Sequence, residues 1–99
     1  MASLDEIKKT AQEYFVSKSV KKVWVFGSYA RGEQTASSDI DIIIDYGNQP
    51  KPSLFTLATL KDELENLFNT KVDLVPEDCI YDNIRPFIDK DKILIYERM

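Results

Sequence analysis

The sequence predicts a small α/β (α+β) domain in which helices pack on one mixed β-sheet. Two observations lead to this prediction. Short runs of β-branched and apolar residues alternate along the chain with segments whose apolar residues recur at helical spacing. In addition, 99 residues with 43% hydrophobic side chains allow one modest core. We therefore expect a single domain over residues 1–99.

The first elements are a helix and a strand. Ser3, with Glu6 three residues later, has the pattern of a helix-capping box. Apolar residues then follow helical spacing at Leu4, Ile7, Ala11, Tyr14 and Phe15. Val23–Phe26 is a short apolar run that favours a strand. The segment from Gly27 to Gly32 begins and ends with glycine and is expected to form a tight turn that could contain one turn of helix.

The middle of the chain predicts a second strand and a longer helix. Asp39–Asp45 is rich in β-branched residues and follows a polar loop. The glycine and prolines of residues 46–53 predict a surface loop. From about Leu54 to Phe68, a helix is expected to turn one side inward, carrying Leu57, Leu60, Leu64, Leu67 and Phe68.

The last third predicts two more strands with a short helix between them. Val72–Val75 reads as a strand that Pro76 stops. Cys79–Ile88 is expected to form a short helix disturbed by Pro86. Ile93–Tyr96 is the final strand.

Composition excludes several classes of function. The net charge of −4 argues against a nucleic-acid binder, which normally presents a basic face. The chain has no histidine and one cysteine, which excludes His-dependent catalysis and a Cys-based zinc site. It has no apolar run near the roughly 20 residues of a membrane span, and its start carries acid where a secretory signal carries base. We expect a cytoplasmic protein.

Three aspartates carry the predicted chemistry. Asp39 and Asp41 stand two residues apart at the start of an apolar strand, so their carboxylates point to the same face. Asp73 lies in the third strand and joins them if that strand neighbours the second. Converging carboxylates repel unless a cation neutralises them. Oxygen-only ligands suit Mg²⁺ or Mn²⁺, and three carboxylates can hold two such ions.

The glycine turn supplies a complementary phosphate site. Gly27 allows the backbone to approach a phosphate closely, and Ser28 offers a hydroxyl and an N–H group. Arg31 could pair with phosphate through its guanidinium fork. The alternative for Arg31 is a salt bridge to one of the aspartates.

These residues resemble a known family. Gly27-Ser28-Tyr29-Ala30-Arg31-Gly32, followed by Ser38-Asp39-Ile40-Asp41, is similar to the G-S-x-A-R-G…S-D-x-D signature of the DNA polymerase β nucleotidyltransferase superfamily. In particular, the chain resembles the minimal nucleotidyltransferase (MNT, or MntA-like antitoxin) branch over nearly its whole length.

The resemblance implies a polymerase-β-like fold and assigns roles to the motif residues. Gly27 and Ser28 would bind phosphate, and Asp39, Asp41 and Asp73 would bind metal. Asp73 would also be the base for the acceptor hydroxyl. The implied reaction is Mg²⁺-dependent transfer of AMP from ATP to a tyrosine of a HEPN-type toxin, which would make the chain an antitoxin.

Other interpretations of the same residues remain open. The chain could neutralise a partner by contact alone, or could modify a small molecule such as an aminoglycoside. We expect no second domain to hold an acceptor, and a homo-oligomer could build that pocket. Structural roles are expected for the remaining notable side chains: a solvated strand end for Asp45, helix capping for Glu77 and Asp78, core or interface packing for Trp24, and the role of a small packing residue for Cys79.

Overall fold

The computed structural model describes residues 3–98. Its elements follow in the order α1 (Leu4–Phe15), β1 (Lys22–Phe26), α2 (Ser28–Arg31), β2 (Ile40–Asp45), α3 (Leu54–Phe68), β3 (Val72–Pro76), a 3₁₀ turn (Glu77–Cys79), α4 (Arg85–Asp91) and β4 (Ile93–Glu97). Across this part of the chain, every helix is too short or too polar to cross a membrane.

One four-stranded mixed sheet organises the fold, as the sequence predicts. The strand order is β3-β2-β1-β4. β1 runs antiparallel to both β2 and β4, whereas β2 and β3 are parallel. The parallel pair is connected through α3, as parallel strands require a crossover segment.

The two long helices pack on one face of this sheet because both are amphipathic. Each begins with a serine cap, as the side chain of Ser3 accepts from Glu6 N at 3.2 Å and that of Ser53 accepts from Thr56 N at 3.1 Å. Alternate isoleucines of β2 meet the inner sides of α1 and α3. The core includes Ile7, Ala11 and Phe15 of α1, Leu60, Leu64 and Phe68 of α3, and Ile40, Ile42 and Ile44 of β2.

The other face of β2 carries Asp41, Ile43 and Asp45, because successive side chains of a strand point to opposite faces. At its centre, Trp24, Ile43 and Val75 are register neighbours on adjacent strands. Ile43 is only 1% exposed, whereas Leu94, which pairs with Trp24, is 40% exposed. This face is therefore less completely covered than the one beneath α1 and α3.

Several structural predictions were wrong. The helix expected at Cys79–Ile88 is replaced by the 3₁₀ turn and by α4, in whose first turn Pro86 lies. Proline favours that position, since the N–H group it lacks would have no partner inside the helix. Leu67 is 53% exposed rather than inward, because the inner stripe of α3 runs through Leu60, Leu64 and Phe68. Cys79 is exposed and does not pack in the core.

Candidate active site

Asp41 and Asp73 are direct neighbours on the two parallel strands. The register pairs Asp41 of β2 with Asp73 of β3. Adjacent strands lie about 4.8 Å apart, and paired residues point to the same face, so the two side chains leave the sheet together. The condition under which Asp73 joins the other two aspartates, that the third strand neighbours the second, is therefore met. β3 is an edge strand and Asp73 is exposed, so its charge remains in contact with solvent.

Asp39 lies just before β2, which begins at Ile40 and not at Asp39 as predicted. It is exposed. The N–H group of Ile40 donates to the carbonyl of Lys71 at 2.9 Å, so the chain is already aligned with the start of β3 at this point. Asp39 thus stands at the same end of the sheet as Asp41 and Asp73.

The three carboxylates do not form a closed cage. Within residues 3–98, no group of three or more Asp, Glu, Cys or His side chains is gathered tightly enough to hold a metal ion. The backbone brings Asp41 and Asp73 into register, while Asp39 and Asp73 keep their side chains in solvent. Mutual repulsion between carboxylates favours such a spread arrangement when no cation lies between them.

The pKa of Asp41 shows that it belongs to a cluster of negative charge. It rises from the usual 3.8 to about 6, first because the carboxyl is partly buried and then because of the charges of Asp73 and Asp39. The positive charge of Arg31 opposes this rise. A divalent cation would neutralise the repulsion, and carboxylate oxygens are the ligands that Mg²⁺ prefers. The residues present therefore fit a magnesium site.

Gly27 makes room for the Asp41 carboxylate. Phe26, the last residue of β1, pairs with Asp41, so the chain passes directly over this carboxylate as it leaves the strand. A Cβ atom on residue 27 would overlap the Asp41 carboxylate, and the Asp41 Cγ atom would lie only 3.2 Å from it. Gly27 also has φ 73° and ψ −149°, a conformation that is nearly restricted to glycine.

Directly after Gly27, the short helix α2 positions Ser28 and Arg31. Arg31 N donates to the Gly27 carbonyl at 3.1 Å, and Glu33 N donates to the Ser28 carbonyl at 2.9 Å. Gly32 ends the helix in the left-handed conformation, with φ 71°. The single helical turn expected between the two glycines is therefore present, and Ser28 directly follows the glycine whose Cβ position the Asp41 carboxylate fills.

Arg31 is held by two carboxylates that sequence reasoning did not assign to the site. Its Nε lies 2.8 Å from Glu33 Oε1, and its Nη1 lies 3.3 Å from Asp91 Oδ2. The alternative of a salt bridge to Asp39 or Asp41 is replaced by these two pairs. Asp91 lies 60 residues from Arg31 at the end of α4, and no local pattern in the sequence connects them.

A polar hollow of about 350 Å³ opens beside Asp39. It is formed by the segments that precede β2 and β3, and its lining consists of Ala36, Ser37, Ser38, Asp39, Asn69, Thr70 and Lys71. A hollow of about 370 Å³ lies at the opposite end of β2, against Ile44 and Pro50, and has no aspartate in its lining. We place the candidate site at the Asp39 end because the strand register gathers the carboxylates there.

The remaining acids and Trp24 have structural contacts. Asp45 accepts the Gly47 N–H at 2.8 Å and so stabilises the turn after β2. Glu77 and Asp78 do not cap a helix. Instead Glu77 forms an ion pair with Arg85, and Asp78 accepts the Tyr46 hydroxyl at 3.0 Å and pairs with Lys51. Trp24 is half-buried, with the Lys92 amine 4.6 Å from its ring centroid.

Two curated relatives match the chain over nearly their whole length. The chain is 33% identical to the protein adenylyltransferase MntA of Thermococcus cleftensis, covering 96% of this chain and 98% of the relative. It is 41% identical to a Methanocaldococcus jannaschii protein that is provisionally named a protein adenylyltransferase, covering 96% of this chain and all of the relative (100%).

Solved structures have the same fold. One described provisionally as a minimal nucleotidyltransferase gives a TM-score of 0.72 at 28% identity, covering 91% of this chain and 90% of that one. A chain from a toxin–antitoxin structure with AMP-PNP gives 0.76 at 21% identity, covering 97% and 76%. A chain from the complex of an AMPylated Shewanella oneidensis HEPN toxin with an MNT antitoxin gives 0.67 at 18%, covering 96% and 71%.

The family profile described as "Polymerase beta, Nucleotidyltransferase" matches residues 5–99. This match spans the glycine turn, the paired aspartates and the later strand that carries Asp73. The chain therefore belongs to the polymerase beta nucleotidyltransferase family, in its minimal branch, and is a nucleotidyltransferase.

Proposed function

We propose that this chain transfers AMP from ATP to a hydroxyl group of a partner protein in a Mg²⁺-dependent reaction, and that the partner is a HEPN-type toxin. The observation that carries the proposal is the pairing of Asp41 with Asp73 beside the Gly27-Ser28 turn. It combines a site for a divalent cation with a site for phosphate at one end of the sheet.

Asp39, Asp41 and Asp73 are the residues that would hold Mg²⁺, as two ions where all three carboxylates take part, and Mn²⁺ offers similar coordination. When bound, such ions neutralise charge on the triphosphate and favour attack by the acceptor oxygen. The partly buried Asp41 is the fixed ligand, since the volume left by Gly27 confines its carboxylate. Asp39 and Asp73 are exposed and are free to turn toward a cation.

The protein's own groups then orient the two reactants. The Gly27-Ser28 backbone and the Ser28 hydroxyl bind triphosphate oxygens, and Arg31 adds a positive charge. Asp73 takes the proton of the acceptor hydroxyl, which is the role that the family resemblance implies for it, and its carboxylate is exposed to an approaching partner. The acceptor oxygen forms a bond to the α-phosphorus, the bond from that phosphorus to the bridging oxygen breaks, and pyrophosphate leaves.

The comparisons support a protein as the acceptor. The Thermococcus relative is named a protein adenylyltransferase, and the named Shewanella complex joins an MNT antitoxin to an AMPylated HEPN toxin. The net charge of −4 argues against direct nucleic-acid binding. ATP as the donor and toxin neutralisation as the outcome belong to the proposal, and the names adenylyltransferase and antitoxin of these relatives support them.

The deciding experiment is transfer of label from α-phosphorus-labelled ATP in Mg²⁺ buffer. The acceptors are a purified HEPN-type partner, taken from the neighbouring gene where there is one, and host lysate. Asp41→Asn tests the site, and Asp45→Asn is its matched control because Asp45 lies on the same face of the same strand at the other end. We expect label on protein with wild type and with Asp45→Asn, and none with Asp41→Asn. Equal label with Asp41→Asn would reject the site.

The two alternatives give different outcomes in the same assay. A contact inhibitor would neutralise the toxin without transferring label, and Asp41→Asn would neutralise it equally well. A small-molecule transferase would place label on an aminoglycoside or another low-mass acceptor in the absence of protein. Label restricted to the toxin, with loss of neutralisation in Asp41→Asn, would exclude both alternatives.

A further inference from the structure

The guanidinium of Arg31 forms ion pairs with two segments of the chain, the loop after α2 and the end of α4. Glu33, two residues along, binds its Nε at 2.8 Å, and Asp91 at the end of α4 binds its Nη1 at 3.3 Å. The two partners are not equally fixed: the Glu33 side chain is 64% exposed and the Asp91 side chain 29% exposed. Asp91 is therefore the partner with less freedom to move.

These contacts leave Arg31 with donors to spare. A guanidinium carries five N–H groups, and the two carboxylates take one from Nε and one from Nη1. The other N–H on Nη1 and both on Nη2 stay available for a further anion. Arg31 can thus bind phosphate while it remains bound to Asp91, and the carboxylates restrict a long side chain that would otherwise be free on a helix of four residues.

α4 is itself attached mainly through polar contacts. Within Arg85–Asp91 no residue is buried. At its first turn, Arg85 forms an ion pair with Glu77 and donates from Nη2 to the Glu77 carbonyl at 3.1 Å. At its last residue, Asp91 reaches Arg31. The ion pair of Asp91 and Arg31 is thus where α4 meets the motif helix α2.

We propose that Asp91 is a positioning residue of the nucleotide site, which acts by holding the Arg31 guanidinium where it meets the triphosphate. The proposal rests on the assignment of Arg31 to phosphate binding in the proposed function. It adds to the site a helix, α4, that lies outside the sequence motif.

A double-mutant cycle tests the proposal through nucleotide affinity. Binding of AMP-PNP with Mg²⁺ is measured by calorimetry for wild type, Asp91→Asn, Arg31→Ala and the double variant. We expect Asp91→Asn to weaken binding about tenfold and Arg31→Ala at least as much, as for charge-assisted pairs to phosphate. The double variant should bind no more weakly than Arg31→Ala, because Asp91 acts through Arg31. Asp91→Glu should restore part of the affinity.

A control and a kinetic measurement separate positioning from a general structural effect. Asp89→Asn removes an ion pair with Lys92 from the same helix without touching Arg31, and should bind AMP-PNP as wild type does. In label transfer, Asp91→Asn should raise KM for ATP more than it lowers kcat. Unfolding curves identify any variant that fails to fold.

The outcomes distinguish this proposal from the proposed function. Unchanged or tighter binding by Asp91→Asn, or a double variant in which the two losses add, would overturn the role of Asp91. If Arg31→Ala binds normally while the wild type still transfers label, the proposal fails and the proposed function stands. If the wild type transfers no label but the cycle behaves as expected, the function fails and the positioning role stands.

Discussion

The carboxylate of Asp41 occupies the space that the Cβ atom of any side chain at residue 27 would need, so only glycine fits there. This relationship connects the glycine turn to the aspartate pair, which are separate in the sequence. The turn lies close to β2 because Phe26, the residue before Gly27, is the register partner of Asp41. A phosphate bound at the turn would therefore lie next to the carboxylate that we propose as a ligand of the cation.

Replacing Gly27 should be more damaging than replacing the second glycine of the same turn. We expect Gly27→Ala to lower the free energy of unfolding by about 3 kcal/mol, from an unfavourable backbone conformation and a clash with Asp41. Gly32→Ala is the matched control, because Gly32 also has positive φ but has open space around it. Its cost should be about 1 kcal/mol. Urea unfolding measures both, and equal losses would contradict the shared-volume interpretation.

Asp41 should oppose stability in the absence of metal while it serves the reaction. Its pKa is raised by burial and by Asp73 and Asp39, so ionisation is less favourable in the folded state than in the unfolded state. Asp41→Asn should therefore raise the Tm of the metal-free protein at pH 7 and abolish label transfer. Asp45→Asn, which only perturbs the turn at Gly47, should not raise the Tm. A lower Tm for Asp41→Asn would contradict this argument.

The same shift predicts how stability depends on pH. Between about pH 4 and about pH 6, Asp41 is protonated in the folded state and ionised in the unfolded state. Its pKa is about 6 in the folded state and 3.8 in the unfolded state. The contribution of this group to stability is complete below pH 4, declines as pH rises to 6, and is constant above. In metal-free buffer the unfolding free energy of Asp41→Asn minus that of wild type should therefore be smallest below pH 4, increase between pH 4 and 6, and be constant above pH 6. A difference that does not vary across this range would reject it.

The sequence predicted most of the sheet and all of the motif, because both depend on local patterns. Runs of β-branched residues marked the strands, and the G-S and D-x-D spacings marked the turn and the acid pair. Strand parity predicted that Asp39 and Asp41 share a face, but it applies only from Ile40 onward, because Asp39 lies just before β2. The pairing of Asp41 with Asp73 requires that β3 lie beside β2. The sequence could state this only as a condition, whereas the structure shows the two residues in register.

What the sequence did not reveal depends on contacts between distant segments. Asp91 reaches Arg31 across 60 residues, and no periodicity links them. Pro86 was interpreted as a disruption because proline breaks helix interiors, whereas its place in the first turn makes it a helix start. Leu67 satisfied the helical spacing of apolar residues, yet it is more than half exposed because the inner side of α3 is narrower than that pattern suggests.

Magnesium should stabilise the folded protein in a manner that depends on Asp41. Ligands that bind only the folded state raise stability with concentration, and Mg²⁺ requires ionised carboxylates. We expect millimolar Mg²⁺ to raise the Tm at pH 7.5, and the increase to fade as pH falls below the Asp41 pKa of about 6. Asp41→Asn should show no increase at any pH, whereas Asp45→Asn should respond as wild type does. An identical Mg²⁺ effect in Asp41→Asn would remove this residue from the metal site.

The hydroxyl of Tyr29, in the middle of the nucleotide motif, provides a last test. Tyr29 is 2% exposed and packs in the core, and its hydroxyl has no hydrogen-bond partner within residues 3–98. An unpartnered buried hydroxyl loses its water without compensation, whereas the ring contributes apolar burial.

Tyr29→Phe should therefore leave the unfolding free energy unchanged or raise it by up to about 1 kcal/mol, and Tyr29→Ala should lower it by about 3–5 kcal/mol. Nucleotide affinity should be the same in Tyr29→Phe and wild type, because Tyr29 points into the core beneath α2 while Ser28 and Arg31 are the residues assigned to phosphate. A loss of more than about 1 kcal/mol in Tyr29→Phe would show that the hydroxyl is bonded. A loss of affinity without a loss of stability would place it in the nucleotide site.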